Sequence, residues 1–204
     1  MQNESLQHDP LVVLDFETTG MDPDAGDRIT EVGLVRLQSG RIVARYQSLV
    51  NCGVRIPSYI TAYTGISQAM VDHAPPVTRV LRELLRFIDG AAVVSHGATF
   101  DRHFLERECA AADVRAPGDP FICSMRLARQ LHPELKCHAL GALAYALKLP
   151  TDGIAHRAPA DAELTAHLML RLGAEIEERK AARGVSAGLL RQLSRLPRIA
   201  EAAN

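Results

Sequence analysis

The sequence of 204 residues predicts a single α/β domain built around a mixed sheet. A chain of this length usually folds as one domain, because domains take roughly 100–200 residues. Strand-like segments fill its first third, whereas the rest combines one short buried strand with several helical segments. Hairpins favour antiparallel pairing and helical crossovers favour parallel pairing, so both kinds of pairing are expected in the sheet.

The first third of the chain predicts a meander of three strands. Residues 11–14 form a continuous apolar run, and the turn signal Thr19-Gly20 follows it. Such a run is typical of a strand buried on both faces. Two further strand candidates and the hairpin turn between them follow at residues 29–37, 41–50 and Ser39-Gly40.

The remaining segments are predominantly helical. Pro75-Pro76 precedes apolar residues with helical spacing over 77–88, and Asp89-Gly90 predicts the end of that helix. A second buried strand is predicted at residues 91–94. Further helices are predicted at residues 99–112, 124–131, 138–147 and 159–182. The predicted organisation is an N-terminal tail at 1–10, the main domain at 11–184, and a C-terminal helix and tail at 185–204.

Composition excludes several classes of protein. Lys and Arg number 23 against 24 Asp and Glu, a net charge of −1, so the chain is not a polycation that binds by bulk charge. Aromatic residues make up only 4%, without Trp, which argues against a broad stacking platform for single strands. The N-terminus lacks the apolar core of a signal peptide, and no apolar segment is long enough for a bilayer. A cytoplasmic location with no membrane contact is therefore expected.

Two acidic residues follow the first buried run. Asp15 and Glu17 are two positions apart on the predicted strand, so their side chains project from the same face. Buried carboxylates this close raise one another's pKa unless a cation lies between them. A hard divalent ion such as Mg²⁺ suits a set of oxygen ligands. The alternative for this pair alone is a solvated acidic turn.

Two more acids lie near the starts of predicted helices. Asp101 follows the second buried strand, and Asp161 falls three and seven residues before Leu164 and Leu168 of the long helix. Each could simply favour a helix start by its charge, but a carboxylate on an apolar stripe needs a partner. His156 has a side chain that titrates near neutral pH, as a general base requires. Four carboxylates and a histidine are typical of two-metal phosphoryl transfer, in which the ions lie roughly 3.5–4 Å apart.

Three motifs resemble those of the DEDDh 3′–5′ exonucleases, a family that includes the proofreading epsilon subunit of DNA polymerase III and ribonuclease T. The motifs are D-F-E-T-T-G at 15–20, H-G-A-T-F-D at 96–101 and H-R-A-P-A-D at 156–161, in the family's order. The resemblance implies a ribonuclease H-like fold, with a five-stranded mixed sheet flanked by helices. It also implies hydrolysis of single-stranded DNA or RNA from the 3′ end, with release of nucleoside 5′-monophosphates.

The resemblance further implies a role for each candidate residue. The ligands of two Mg²⁺ or Mn²⁺ ions would be the four acids Asp15, Glu17, Asp101 and Asp161. His156 would activate the attacking water. The backbone around Thr18 and Thr19 would hold the terminal 3′ nucleotide, and Phe100 would line its pocket. A DNA polymerase subunit is the implied candidate for a protein partner.

One departure from the family pattern leaves other interpretations open. Gly97 stands where the second motif usually has Asn after its His, so a hydrogen-bonding side chain is missing. A catalytically weak or inactive module that binds a polymerase or a nucleic-acid end is therefore the alternative. A hydrolase of small nucleotides on the same fold is a third hypothesis.

Two other constellations are disfavoured. Ser95 beside His96 lacks the G-x-S-x-G turn of a serine hydrolase. The spacing of His132, Cys137 and His138 fits no usual zinc pattern. The C-terminal leucines are expected to pack on the domain itself, with docking on a partner as the alternative. The sequence predicts neither a preference between DNA and RNA nor an oligomeric state.

Overall fold

The structure, a computed structural model, describes residues 9–119, 121–151, 156–180 and 184–196. Its strands are β1 (Leu11–Thr18), β2 (Ile29–Gln38), β3 (Arg41–Leu49), β4 (Ala92–Ser95) and β5 (Ile122–Cys123). They form one sheet in the order β3-β2-β1-β4-β5. The first three strands pair antiparallel, whereas β1 with β4 and β4 with β5 pair in parallel. The predicted mixed, five-stranded sheet is confirmed.

The described α-helices are α1 (Ser58–Thr64), α2 (Gln68–Asp72), α3 (Val77–Ile88), α4 (Ala98–Ala111), α5 (Ser124–Leu131), α6 (Leu140–Leu147), α7 (Ala158–Lys180) and α8 (Ala187–Arg195). Most predicted helices agree with these bounds within two residues. Residues 1–8 of the predicted N-terminal tail, and residues 181–183 and 197–204, which the other predictions include, lie outside the described residues. None of the described helices combines the length and apolar character needed to cross a membrane.

Two α-helices and one strand were not predicted. Helix α1 has seven residues and buries only Thr64 among them, so it lacks the apolar stripe by which helices are predicted from sequence. Helix α2 has five residues. Strand β5 has two residues, too few to show a period, and only the family resemblance implied a fifth strand.

Strand β1 separates two hydrophobic cores. Val12 and Leu14 pack in a cluster that includes residues of α3 and α4, whereas Val13 packs in a cluster built with α5, α6, α7 and α8. Because successive side chains of a strand point to opposite faces, Asp15 and Glu17 project on the side of Val13. The two carboxylates therefore face the layer that contains α7.

The buried face of α7 differs from the predicted stripe at its N-terminal end. Leu168, Leu172 and Ile176 are buried as expected. Leu164 is only half-buried, and Ala162 is completely buried instead. The start of the helix lies so close to the sheet that small side chains fill the contact there.

Gly33 of β2 permits this close approach. A Cβ atom at this position would lie 2.2 Å from the carbonyl oxygen of Ala158 and 2.5 Å from the nitrogen of Pro159. Gly33 also pairs directly with Asp15 across the β1–β2 ladder. Because Gly33 has no side chain, the first turn of α7 can lie beside Asp15.

Helix α8 packs on the second core. Val185, Ala187 and Leu190 are buried in the cluster that also contains residues of α5 and α7. The backbone N–H of Ala187 donates to Oδ2 of Asp9 at 2.9 Å, which joins this segment to the residues before β1. The described part of the C-terminal segment therefore packs on the domain.

We expect Gly33→Ala to lower the free energy of unfolding by about 1–3 kcal/mol, because the new methyl group overpacks against the backbone of α7. Denaturant unfolding of the purified variant measures this change. Gly173→Ala is the matched control, because a Cβ there meets nothing within 4 Å outside the helix's own backbone. That control should be neutral or stabilising by about 0.5–1 kcal/mol. Equal stabilities of the two variants would contradict the steric role of Gly33.

Candidate active site

Three carboxylates meet where β1 ends. Asp15 and Glu17 come from β1, and Asp161 comes from the first turn of α7. One oxygen atom of each lies within 4.8 Å of the others, and all three residues are half-buried. The structure thus brings together three of the four acids expected from the sequence to form a metal site.

The fourth acid, Asp101, approaches from the other face of the sheet. It lies in the first turn of α4 and is buried. The Oγ–H of Ser95 and the backbone N–H of Phe16 both donate to its carboxylate. The charge of Asp101 raises the pKa of Asp15, so Asp101 lies near the three-acid cluster. It is not among the acids whose oxygen atoms all lie within 4.8 Å of one another.

Burial and mutual repulsion raise the pKa of these acids. Desolvation, followed by the charges of Asp101 and Asp161, raises the pKa of Asp15 well above its ordinary value. Desolvation and Asp161 raise the pKa of Glu17 to about 7. Desolvation raises the pKa of Asp101 to about 7 against the hydrogen bonds that it accepts. A bound cation would remove this penalty, because it favours the charged forms.

An ion pair between Arg157 and Glu31 fixes the start of α7 to β2. Nε of Arg157 donates to Oε2 of buried Glu31 at 2.9 Å, and its Nη2 donates to Oε1. The N–H of Ala158 also donates to Oε2 at 3.0 Å. Glu31 lies opposite Glu17 in the β1–β2 ladder, so Arg157 also offsets repulsion between these two acids.

A second ion pair fixes α4 to the start of β2. Nε and Nη2 of Arg28 each donate to one oxygen of Glu108 at 2.8 Å, and Glu108 is buried. The N–H of Ile29 donates to the same carboxylate at 3.3 Å. Glu108 follows Asp101 by two helical turns, so this ion pair orients the helix that carries Asp101.

The turn after β1 is held by its own hydrogen bonds. The hydroxyl of Thr18 donates to the carbonyl of Gly20, and the hydroxyl of Thr19 donates to Oδ1 of Asp27 at 3.0 Å. The N–H of Thr19 donates to the carbonyl of Arg28 at 2.9 Å. Both threonines are buried, so their hydroxyl groups stabilise the turn itself.

His156 contacts one of the acids, whereas Phe100 packs against another phenylalanine. His156 is exposed, has a left-handed backbone with φ 61°, and donates its N–H to Oδ2 of Asp161 at 3.1 Å. Phe100 is half-buried, with its ring centroid 4.8 Å from that of Phe104. The backbone hydrogen bond thus places His156 next to the acidic cluster, and the role of Phe100 stays a prediction.

His96, the first residue of the second motif, is buried. Its Nε2 lies 2.9 Å from the carbonyl of His138, which can only accept, so Nε2 carries the proton. Its Nδ1 lies 2.9 Å from Oγ of Ser124. Desolvation lowers the pKa of His96 to about 4, so the ring is neutral at physiological pH. The next residue, Gly97, caps α4 without a side-chain hydrogen bond, and a Cβ there meets open space.

The two disfavoured constellations do not form sites in the described chain. Ser95 is completely buried, and its hydroxyl bonds to Asp101 rather than to the neighbouring histidine. His132 faces two glutamates, and His138 bonds through Nε2 to the carbonyl of His132, while Cys137 is exposed. Neither group has the free, convergent atoms that nucleophilic or zinc chemistry requires.

Sequence reasoning missed the positioning residues Arg28, Glu31 and Glu108, and it included Arg157 only as the second residue of the third motif, without a role. Two weak signals pointed to them. Glu31 is the one acidic residue of strand β2, and Glu108 follows Asp101 at helical spacing. Neither signal identifies its arginine partner, because the pairs join residues 80 and 126 positions apart.

A sequence profile of the RNase_T exonuclease family matches residues 12–169, which include all five predicted catalytic residues. The chain belongs to this exonuclease family. The resemblance to DEDDh exonucleases expected from the three motifs is confirmed.

Among curated proteins, one relative of similar length is the DNA polymerase III subunit epsilon of Aquifex aeolicus. It is 32% identical over 173 residues, which cover 85% of each chain. The 3′-5′ exonuclease DinG of Bacillus subtilis is 35% identical over 162 residues, which cover 79% of this chain. Those residues are only 17% of DinG, and the match to PolC-type DNA polymerase III of Caldanaerobacter subterraneus covers only 12% of that protein.

Solved structures of nucleases share the fold of this chain. Exonuclease X in complex with 5′ overhanging duplex DNA matches with a TM-score of 0.69 and 25% identity, covering 90% of this chain and 99% of that one. The nuclease domain of 3′hExo, a DEDDh family member bound to rAMP, matches with a TM-score of 0.71 and 20% identity, covering 82% and 93%. The predicted ribonuclease H-like fold is confirmed.

We expect His96 to make the folded protein sensitive to acid. Its pKa is about 4 in the folded state and 6.5 ordinarily, so the unfolded chain binds the proton more readily. Stability from this residue is complete above pH 6.5 and is lost as the pH falls towards 4, by roughly 3 kcal/mol. The measurement is denaturant unfolding from pH 7.5 to 4.5, in which the difference between wild type and His96→Gln should narrow as the pH falls. A constant difference across that range would contradict the prediction.

We expect Glu17→Gln to stabilise the metal-free protein, because it removes one of the repelling charges. Its raised pKa corresponds to about 1–2 kcal/mol at pH 8 after allowance for solvent screening. Thermal unfolding in EDTA should show a higher Tm, whereas stabilisation by Mn²⁺ should be weaker than in wild type. The control is Asp89→Asn, which removes an exposed charge just before β4, at the end of that strand away from the site. Asp89 has a left-handed backbone, which asparagine also tolerates. An equal response to Mn²⁺ in Glu17→Gln and wild type would contradict a metal role for Glu17.

Proposed function

We propose that this protein is a metal-dependent 3′–5′ exonuclease that hydrolyses the phosphodiester bond at the 3′ end of single-stranded DNA or RNA and releases nucleoside 5′-monophosphates. The observation that carries this proposal is the convergence of Asp15, Glu17 and Asp161, with Asp101 beside them, in a member of an exonuclease family. The matched relatives are mostly far longer than this chain, so its substrates are inferred from the site and from the family.

The acids fit two divalent ions, Mg²⁺ or Mn²⁺. All the candidate ligand atoms are carboxylate oxygens, which these ions prefer. Burial and the neighbouring acids raise the pKa values of Asp15 and Glu17, and a bound cation would oppose both effects. Bound ions would lower the pKa of the attacking water and neutralise the leaving oxygen. The proposed ligands are Asp15, Glu17, Asp101 and Asp161.

His156 is the proposed general base. Its backbone N–H is bonded to Asp161, which places the residue directly beside the acidic cluster. Its exposed imidazole is free of the ion pairs that hold the arginines of the site, so a ring nitrogen can take the proton of the attacking water. The expected role therefore agrees with the position of the residue.

The terminal nucleotide is proposed to lie against the turn after β1. The hydroxyls of Thr18 and Thr19 are engaged inside the turn, so the backbone around them would make the contact. Phe100, whose ring is half-buried in the first turn of α4, would line the pocket of this nucleotide. A DNA polymerase subunit is the proposed protein partner, supported by the similarity to an epsilon subunit over 85% of its length. The cytoplasmic location stays a prediction.

The alternative is a module that binds nucleic-acid ends with little or no hydrolysis. Gly97 favours it, because α4 begins there without a side chain to contact a substrate. The four acids and His156 are all present, however, and an inactive module has no need of a repulsive acidic cluster. Hydrolysis is therefore the preferred function.

We expect metal-dependent shortening of labelled oligonucleotides, because the acids require cations to act. DNA and RNA strands of the same sequence, labelled at the 5′ end, are incubated with Mg²⁺ or Mn²⁺, and shortening is followed by gel electrophoresis. Asp161→Asn should abolish the activity, and His156→Ala should lower the rate by about 10²- to 10⁴-fold. Asp89→Asn should retain the activity of the wild type.

The same assay is repeated with EDTA, which removes the cations, and with a labelled trinucleotide as a short substrate. A folded wild-type protein that binds oligonucleotides without shortening them would favour the inactive module. Activity confined to mononucleotide esters would favour the small-nucleotide hydrolase. An unchanged rate in His156→Ala would refute the role of that residue.

A further inference from the structure

Helix α1 places an aromatic ring on the proposed general base. The ring centroid of Tyr63 lies 4.0 Å from that of the His156 imidazole, and the two planes are inclined by 30°. Tyr63 is 60% exposed although it contacts this ring, and Tyr59, one turn earlier, is 65% exposed. The family motifs contain neither tyrosine, and the sequence analysis predicted no helix here.

The end of α1 is a firm support for this ring. The hydroxyl of Thr64 donates to the carbonyl of Ile60 at 2.9 Å and accepts from the N–H of Ile66 at 3.1 Å. Ile66 is completely buried, and Gly65 ends the helix with φ 74°. The residues on the C-terminal side of Tyr63 are thus anchored in a third small core formed by Cys52, Ile56, Ile66 and Val71.

The backbone of His156 is fixed, but its side chain is exposed. Its N–H bonds to Asp161, and its left-handed φ of 61° is uncommon for a residue with a Cβ. An exposed side chain ordinarily samples several rotamers. The stacked ring of Tyr63 restricts that freedom, because a planar contact at 4.0 Å is compatible with few orientations of the imidazole.

We propose that Tyr63 is a positioning residue, whose ring holds the imidazole of His156 in the orientation in which it takes the proton of the attacking water. This inference rests on the proposed function. The contact is between ring faces, so the hydroxyl group of Tyr63 is not required. Phenylalanine should therefore replace it, whereas alanine should not.

The test compares steady-state kinetics on a single-stranded oligonucleotide for Tyr63→Ala, Tyr63→Phe and the matched control Tyr59→Ala. Tyr63→Ala should lower kcat by about 10- to 10²-fold with little change in KM, because misplacement of a reacting group costs rate. Tyr63→Phe and Tyr59→Ala should keep a kcat close to that of the wild type. In a His156→Ala background, Tyr63→Ala should cause no further loss, since the two residues act as one unit.

Several results would overturn the proposal. A wild-type kcat in Tyr63→Ala would do so, and so would a raised KM alone, which would assign Tyr63 to nucleotide binding. A full additional loss in the His156→Ala background would show that Tyr63 acts independently. Should the wild type lack nuclease activity, the proposed function fails, and NMR then tests the stack itself. The imidazole protons of His156 should show a ring-current shift that Tyr63→Phe keeps and Tyr63→Ala loses, and absence of this shift in the wild type would refute the stack.

Discussion

Electrostatic repulsion among the carboxylates at the end of β1 is the constraint on which the rest of the site depends. The acids approach from both faces of the sheet, and without cations they favour separation. Two ion pairs that each include a buried glutamate, Arg28–Glu108 and Arg157–Glu31, oppose that tendency by linking α4 and α7 to β2. Both ion pairs use residues within or just before β2. One short stretch of β2 therefore holds the two helices that deliver acids to β1.

The acidic cluster makes the site a source of instability in the metal-free fold. Raised pKa values mean that the ionised acids of the folded chain lie in a less favourable environment than in the unfolded chain. Carboxylates on an exposed surface would not destabilise the fold in this way, because solvent would screen their repulsion. The arrangement favours cation binding, since a bound cation relieves the repulsion among the carboxylates and is stabilised by their charges.

The pattern of residues along one strand or helix was sufficient to predict those parts of the site that lie within that single element. Strand alternation places Asp15 and Glu17 on one face, and the structure shows them there. The side from which Asp101 arrives could not be predicted, because it depends on how α4 packs against the sheet. The short elements α1 and β5 could not be predicted from the sequence for a related reason. Their stability comes from tertiary contacts rather than from an apolar period of their own.

The site combines a rigid acidic half with an exposed basic half. The acids are fixed by strand pairing, by ion pairs and by backbone contact at Gly33, so a change there disturbs the fold as well as the chemistry. His156 is fixed through one backbone hydrogen bond and one ring contact at the surface. Substitutions at this exposed pair should therefore alter turnover without altering stability. The two halves can be told apart by measuring unfolding and turnover on the same variants, because only the acidic half couples them.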